Sequence, residues 1–234
     1  MEMARTVINS KDGHVNGFTI NHWHIIFGGF TQRLSSNSSN GTLYLWSALH
    51  NKFAAADTAI EWYPWDADVK GIADKVHEFK SRFGESSVRI YGYSYGCTAA
   101  VRLAKALQRN GISVHRMVLC DPVYRHHFPL GNWRSLLSSQ KLVVPSNVYR
   151  VDWLYQRNPR FSINRRLKRL GHVFEPAGHQ VTLTSEKHTI MEYAIELELC
   201  HSQMDNAQAF HNLALTGTCH DGDGETPEGI RDCD

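Results

Sequence analysis

Ser94 stands between two glycines in the run Gly92-Tyr93-Ser94-Tyr95-Gly96, where residues 89 to 107 pass from an apolar stretch directly into a helical pattern. A strand and a helix joined with almost no loop force the chain through a sharp turn. A side chain at Gly92 or Gly96 would collide there with neighbouring backbone. The residue at the apex, Ser94, is held outward from the sheet. A serine hydroxyl is a weak nucleophile by itself, so the turn carries chemistry only if a base and an orienting acid converge on it. The same five residues also suit a plain tight turn with an incidental serine.

The elements around this turn decide where partners can come from. Residues 18–27 read as a strand that ends in a Gly-, Ser- and Asn-rich loop, and 43–55 as a helix. Residues 58–65 read as a strand and 66–83 as a helix, with Val69, Ile72, Ala73, Val76 and Phe79 at helical spacing behind an acidic first turn. The strand 87–93 enters the Ser94 turn and a helix leaves it, closed by Gly111. Further strands are expected at 114–123, 146–156 and 179–184, and a long helix at 189–204. Strands alternating with helices require crossover connections, hence an α/β fold with a mostly parallel central sheet and helices on both faces. Ligands of such sheets bind beyond the carboxyl ends of the strands.

Three of those ends carry polar or glycine-rich residues. Gly28 and Gly29, followed by Phe30 and Thr31, allow backbone amides to approach a ligand closely. Tyr95 begins a helix, where amides lack intrahelical acceptors, and two amides from separate loops are what a tetrahedral oxyanion needs. Asp121 follows an apolar strand and precedes Pro122, as an orienting carboxylate or as a turn cap. His188 lies in a polar loop before the expected helix at 189–204, where a base would be needed; a local hydrogen bond at the helix start is its plainer role. His179, at the start of the preceding strand, and His172 are weaker choices among the 14 histidines.

On these residues the chain resembles the α/β-hydrolase superfamily over about positions 18–200: the elbow Gly92 to Gly96, the Gly28-Gly29 loop after an earlier strand, and the chain order nucleophile, acid, histidine. The resemblance implies Ser94 as nucleophile, His188 as general base and Asp121 as the acid orienting it. It implies the amides of Tyr95 and of Gly29 or Phe30 as oxyanion donors, no cofactor and no metal. The expected reaction is hydrolysis of a small carboxylic ester or thioester through an acyl-enzyme, of lipase, esterase or thioesterase type. An inactive binding module of the same fold, or an amidase or acyltransferase using the same triad, are the alternatives. The acid in such folds more often follows the next strand, where Asp152 is the reserve, although it falls inside its strand. A lid is absent or reduced to residues 124–142.

Other conspicuous residues have plainer readings. His22 and His24 alternate on one strand face without a third ligand at metal spacing. His126 and His127 are solvated or line the pocket mouth, and the basic run 157–169 is a solvated face or attracts an acidic substrate. Trp62, Tyr63 and Trp65 pack between helix and sheet, with Trp65 and Tyr95 placed to touch substrate. A chain of 234 residues with 42% hydrophobic content and a net charge of +2 fits one soluble domain, 1–215, followed by a Gly-rich acidic tail, 216–234, lacking fixed structure. A pI near 8.3 argues against nucleic-acid binding. No stretch is long and apolar enough to span a membrane, and no secretory signal opens the chain. The five cysteines, none in a CxxC pair, fit a reducing, cytoplasmic setting without structural zinc.

Overall fold

The computed structural model describes residues 20–30, 32, 40–55, 57–84, 86–123, 141–156 and 180–217. Its strands are β1 (His22–Phe27), β2 (Thr58–Tyr63), β3 (Ser87–Tyr93), β4 (Val114–Cys120), β5 (Leu142–Val144), β6 (Val148–Tyr155), β7 (Val181–Leu183) and β8 (Ile190–Glu196). Its helices are α1 (Gly41–Phe53), α2 (Val69–Phe83), α3 (Tyr95–Arg109), α4 (His201–Met204) and α5 (Gln208–Leu215). Six strands form one sheet in the order β2-β1-β3-β4-β6-β8, and every neighbouring pair is parallel. This is the mostly parallel α/β arrangement that the alternating pattern implies. β5 and β7 pair separately, also in parallel.

Buried strands alternate their side chains between two apolar layers. Ile25 and Phe27 of β1 and Val88 and Ile90 of β3 pack with Ile72 and Val76 of α2 and Leu103 and Leu107 of α3. Ile26, Tyr91, Val118 and Leu154 face the other way, against Leu45 and Leu49 of α1 and Phe210 and Leu213 of α5. Helix starts follow local chemistry: Asn40 and Asp68 accept the amides of Leu43 and Lys70 with their side chains.

The long helix expected at 189–204 is instead β8 followed by the short α4. The reason lies in the residues themselves. Met191, Tyr193, Ile195, Leu197 and Leu199 alternate with Glu192, Glu196 and Glu198, a period of two that suits a strand with unlike faces. β8 is the last strand of the sheet and most of its residues are only half-buried, so it lacks the continuous apolar run of the inner strands. The strand expected at 179–184 is the shorter β7, off the central sheet. His126, His127, His172, His179, Thr31, the basic run 157–169, nearly all of the 124–142 segment and tail residues 218–234 lie outside the described residues. Among the described residues, no helix is long and apolar enough to cross a membrane.

Candidate active site

The turn after β3 has the strain its sequence implies. Ser94 sits at φ 55° and ψ −123°, outside the regions open to ordinary L-residues, a conformation that costs about 1–3 kcal/mol and needs support from its surroundings. Its amide donates to Cys120 O at 3.0 Å and its carbonyl accepts from Val123 N at 3.1 Å, so the neighbouring strand end grips both sides of it. A Cβ at Gly96 would lie 2.4 Å from Phe27 O, and one at Gly92 would lie 2.9 Å from Cys97 backbone atoms. Both glycines are therefore required for the crossing of α3 over β1 and β3. Only 5% of the Ser94 surface is exposed.

Asp121 follows β4 in the same way that Ser94 follows β3. Its amide donates to Leu154 O at 2.8 Å, and its own φ of 44° bends the carboxylate out of the strand direction. Oδ2 accepts from Gln156 Nε2 at 3.2 Å, while Oδ1 is buried without a hydrogen bond among the described residues.

The histidine brought to these two groups is His201. Its Nε2 is 3.0 Å from Ser94 Oγ and its Nδ1 is 2.5 Å from Asp121 Oδ2. With Nδ1 protonated and donating to the carboxylate, Nε2 is left to accept from the serine hydroxyl. The His201 ring stacks on Tyr93 at 5.1 Å between centroids, and Tyr93 OH donates to His201 O at 2.6 Å. Burial pushes the Tyr93 hydroxyl well above its ordinary range, so it stays a donor. Cys200 N donates to Gln203 Oε1 at 3.1 Å and fixes the turn that opens α4 with His201.

His188, the base expected from the sequence, is not in this cluster. It precedes β8, whose first residue, Ile190, pairs with Arg150 near the start of β6. β8 is parallel to β6 and so to the rest of the sheet, which puts His188 at the opposite end of the sheet from Ser94, a strand length of roughly 20 Å away. His201 follows the far end of β8 and meets the requirement that His188 cannot. Its signal in the sequence was the alternating run 191–199, which, read as a strand, puts the next histidine at the right edge. Asp152, the reserve acid, is buried inside β6 and takes Arg116 Nε at 2.6 Å and Nη2 at 3.0 Å, a bidentate pair away from Ser94.

The Gly28–Phe30 loop approaches Ser94 from β1. A Cβ at Gly29 would lie 3.3 Å from Ser94 Cβ. The Gly29 amide, one of the expected oxyanion donors, is engaged by Gln32 Oε1 at 2.8 Å. Of the two amides expected from this loop, that leaves the one of Phe30, whose ring packs on that of Tyr95, the first residue of the 15-residue α3. Phe30, Trp65 and Tyr95 pack as neighbouring rings, 5.5 to 5.8 Å between centroids, with Trp65 Nε1 donating to Phe30 O at 3.0 Å. Trp65 thus packs on Tyr95, the residue that follows Ser94. Below the loop, Asp205 Oδ2 accepts from Gln32 Nε2 at 2.5 Å and from Gly41 N at 2.8 Å. Burial pushes the Asp205 carboxyl up, against these donors and the nearby His201.

Cys97 and Cys120 are free and fully buried, and burial pushes both thiols well up, so neither is a nucleophile. Cys200 is disulfide-bonded, which departs from the expectation of a chain whose cysteines stay reduced. His24 is buried against Tyr91 and Phe53. Among the described residues, no group of three or more His, Cys, Asp or Glu side chains is placed to hold a metal ion.

No family model matches this chain, and no curated protein does. Solved structures with a similar course of backbone include a gene product of Listeria innocua, at 14% identity over 89% of this chain and 96% of that one, with a TM-score of 0.45. The thioesterase domain SrfTE, which cyclises the lipopeptide antibiotic surfactin, matches at 14% identity over 83% of this chain and 88% of its own, with a TM-score of 0.42. The NocB thioesterase domain, in covalent complex with a fluorophosphonate nocardicin G analogue, matches at 12% identity over 83% and 91%, with a TM-score of 0.39.

Proposed function

We propose that this protein is a serine hydrolase that cleaves a carboxylic ester or thioester through an acyl-enzyme, with Ser94, His201 and Asp121 as its triad. The observation that carries the reading is the unbroken contact from Ser94 Oγ through the two nitrogens of one imidazole to a buried carboxylate, on a serine held at a strained turn.

In the first half-reaction Ser94 Oγ attacks the carbonyl carbon as its proton passes to His201 Nε2. The charge that develops on the carbonyl oxygen is met by the amides of Tyr95, at the positive end of α3, and of Phe30. Asp121 stabilises the imidazolium without itself taking the proton. Collapse breaks the bond to the leaving alcohol or thiol, which receives the proton from Nε2. Water then attacks the acyl-serine, giving up a proton to Nε2, and the carboxylic acid departs as Ser94 regains its proton.

The test is covalent labelling with an alkyl fluorophosphonate, read by intact mass, alongside hydrolysis of p-nitrophenyl butyrate and of a butyryl thioester. The reading expects one adduct on the native chain, none on Ser94→Ala, and turnover of at least one substrate. A native chain that forms no adduct at Ser94 would leave a hydrolase-like fold without this chemistry.

A further inference from the structure

Gln32 grips the loop beside Ser94 from both sides of one residue. Its side-chain Oε1 accepts the Gly29 amide at 2.8 Å, and its backbone amide donates to the Gly29 carbonyl at 3.1 Å. These bonds fix the two peptide planes that flank Gly29. The second plane also contains the Phe30 amide, which points opposite to the Gly29 carbonyl. Whatever sets Gln32 therefore sets the direction of the Phe30 N–H.

Gln32 is in turn set by Asp205. Its Nε2 donates to Asp205 Oδ2 at 2.5 Å, and the side chains of both residues are buried, with 5% and 2% of their surface exposed. A carboxylate only accepts and a backbone amide only donates, so the Gln32 amide has one permitted orientation between Asp205 and Gly29. Thr42 Oγ1, 3.0 Å from Oε1, lies on the same side as the Gly29 donor. Asp205 follows directly after α4, one turn beyond His201, and its Oδ2 also holds the first amide of α1. One buried bond thus joins the loop carrying the oxyanion donor to the turn carrying the base.

We propose that Gln32 is a positioning residue for the oxyanion donor Phe30, held in its working orientation by Asp205. The proposal rests on the serine hydrolase reading and adds the means by which two loops from distant parts of the chain stay in register. Gln32 is buried and acts through the Phe30 amide. Its removal would leave the Phe30 amide present but unaimed, which slows the step in which charge develops on oxygen and leaves initial binding alone.

The experiment measures the rate of labelling by an alkyl fluorophosphonate, whose phosphoryl oxygen gains charge as Ser94 attacks, and separates the limiting rate kinact from the half-saturating concentration KI. Gln32→Met is expected to lower kinact by about 10- to 100-fold, less than the roughly 100- to 1,000-fold for outright loss of an oxyanion donor because the Phe30 amide remains, with KI within about twofold of native. Gln32→Glu keeps an acceptor for Gly29 but faces the Asp205 carboxylate, so it holds the loop only while the pair shares a proton. Its kinact should approach native at low pH and fall as pH rises, whereas the native rate does not fall on that limb. Native kinact in Gln32→Met, or a loss confined to KI, overturns the proposal. So does the unfolding of both variants by circular dichroism, which would make Gln32 a structural residue only. A native chain that is not labelled at Ser94 defeats the underlying hydrolase reading instead, and is recognised before any variant is compared.

Discussion

Asp121 and His201 are 80 positions apart in the chain and meet at 2.5 Å between Oδ2 and Nδ1. The contact orients the imidazole so that Nε2, and not Nδ1, faces Ser94 Oγ. On this relationship His201→Ala should abolish labelling and turnover, while His188→Ala should leave both near native, because His188 lies across the sheet. Asp121→Asn should lower kcat by up to about 10⁴-fold through the wrong tautomer, with KM little changed. Asn is the suitable replacement because it tolerates the positive φ of 44° found there. Steady-state kinetics of the three variants check this, and greater loss from His188→Ala than from His201→Ala would overturn the assignment of the base.

Gly96 bears on stability as well as on the elbow. In Gly96→Ala the new Cβ would meet Phe27 O at 2.4 Å and Gly28 O at 2.7 Å, backbone atoms that cannot swing aside. Overpacking of this kind costs about 1–3 kcal/mol, which for a chain of this size is a fall in Tm of roughly 2–12 °C. Differential scanning calorimetry should show that fall, and labelling of Ser94 should slow with it, since α3 cannot shift without moving the serine.

Arg116 and Asp152 form a buried bidentate pair remote from the triad, with the Asp152 side chain fully buried. Arg116→Met should cost about 3–5 kcal/mol by leaving an uncompensated buried carboxylate, and the double variant Arg116→Met with Asp152→Leu should regain most of that loss. Urea unfolding measures both. The fluorophosphonate rate per folded molecule should stay native throughout, which separates Asp152 from the acid of the site.

His24 makes stability depend on pH. It is 1% exposed, and burial, followed by the charges of Arg89 and His22, pushes its imidazole down to about 3. Between pH 6.5 and that value the unfolded chain binds a proton that the folded chain refuses, so stability falls as pH drops through the window, by about 1.4 kcal/mol per pH unit. His24→Phe, which preserves the stack on Phe53 and Tyr91, should remove one proton's share of that slope. Denaturant unfolding at pH 7, 6, 5 and 4 checks it, and parallel slopes for native and variant chains would refute it.

The sequence by itself determined what short-range sterics and local periodicity can decide. Gly92 marks the elbow because a Cβ there would strike the backbone of Gly96 and Cys97, four and five residues on, and Asp121 declares itself by ending an apolar strand before a proline. The parallel sheet follows from strands alternating with helices. The choice among 14 histidines was of another kind. It hinged on whether residues 190–199 follow a period of two or of 3.6, and on an edge strand the half-exposed face blurs that distinction. Only the tertiary structure, by laying β8 parallel to β6, sent His188 to one end of the sheet and His201 to the other. The same holds for Gln32 and Asp205, 173 positions apart. Nothing in either neighbourhood announces the other, because a hydrogen bond between them exists only after the loop beyond β1 and the end of α4 have been packed over the same serine.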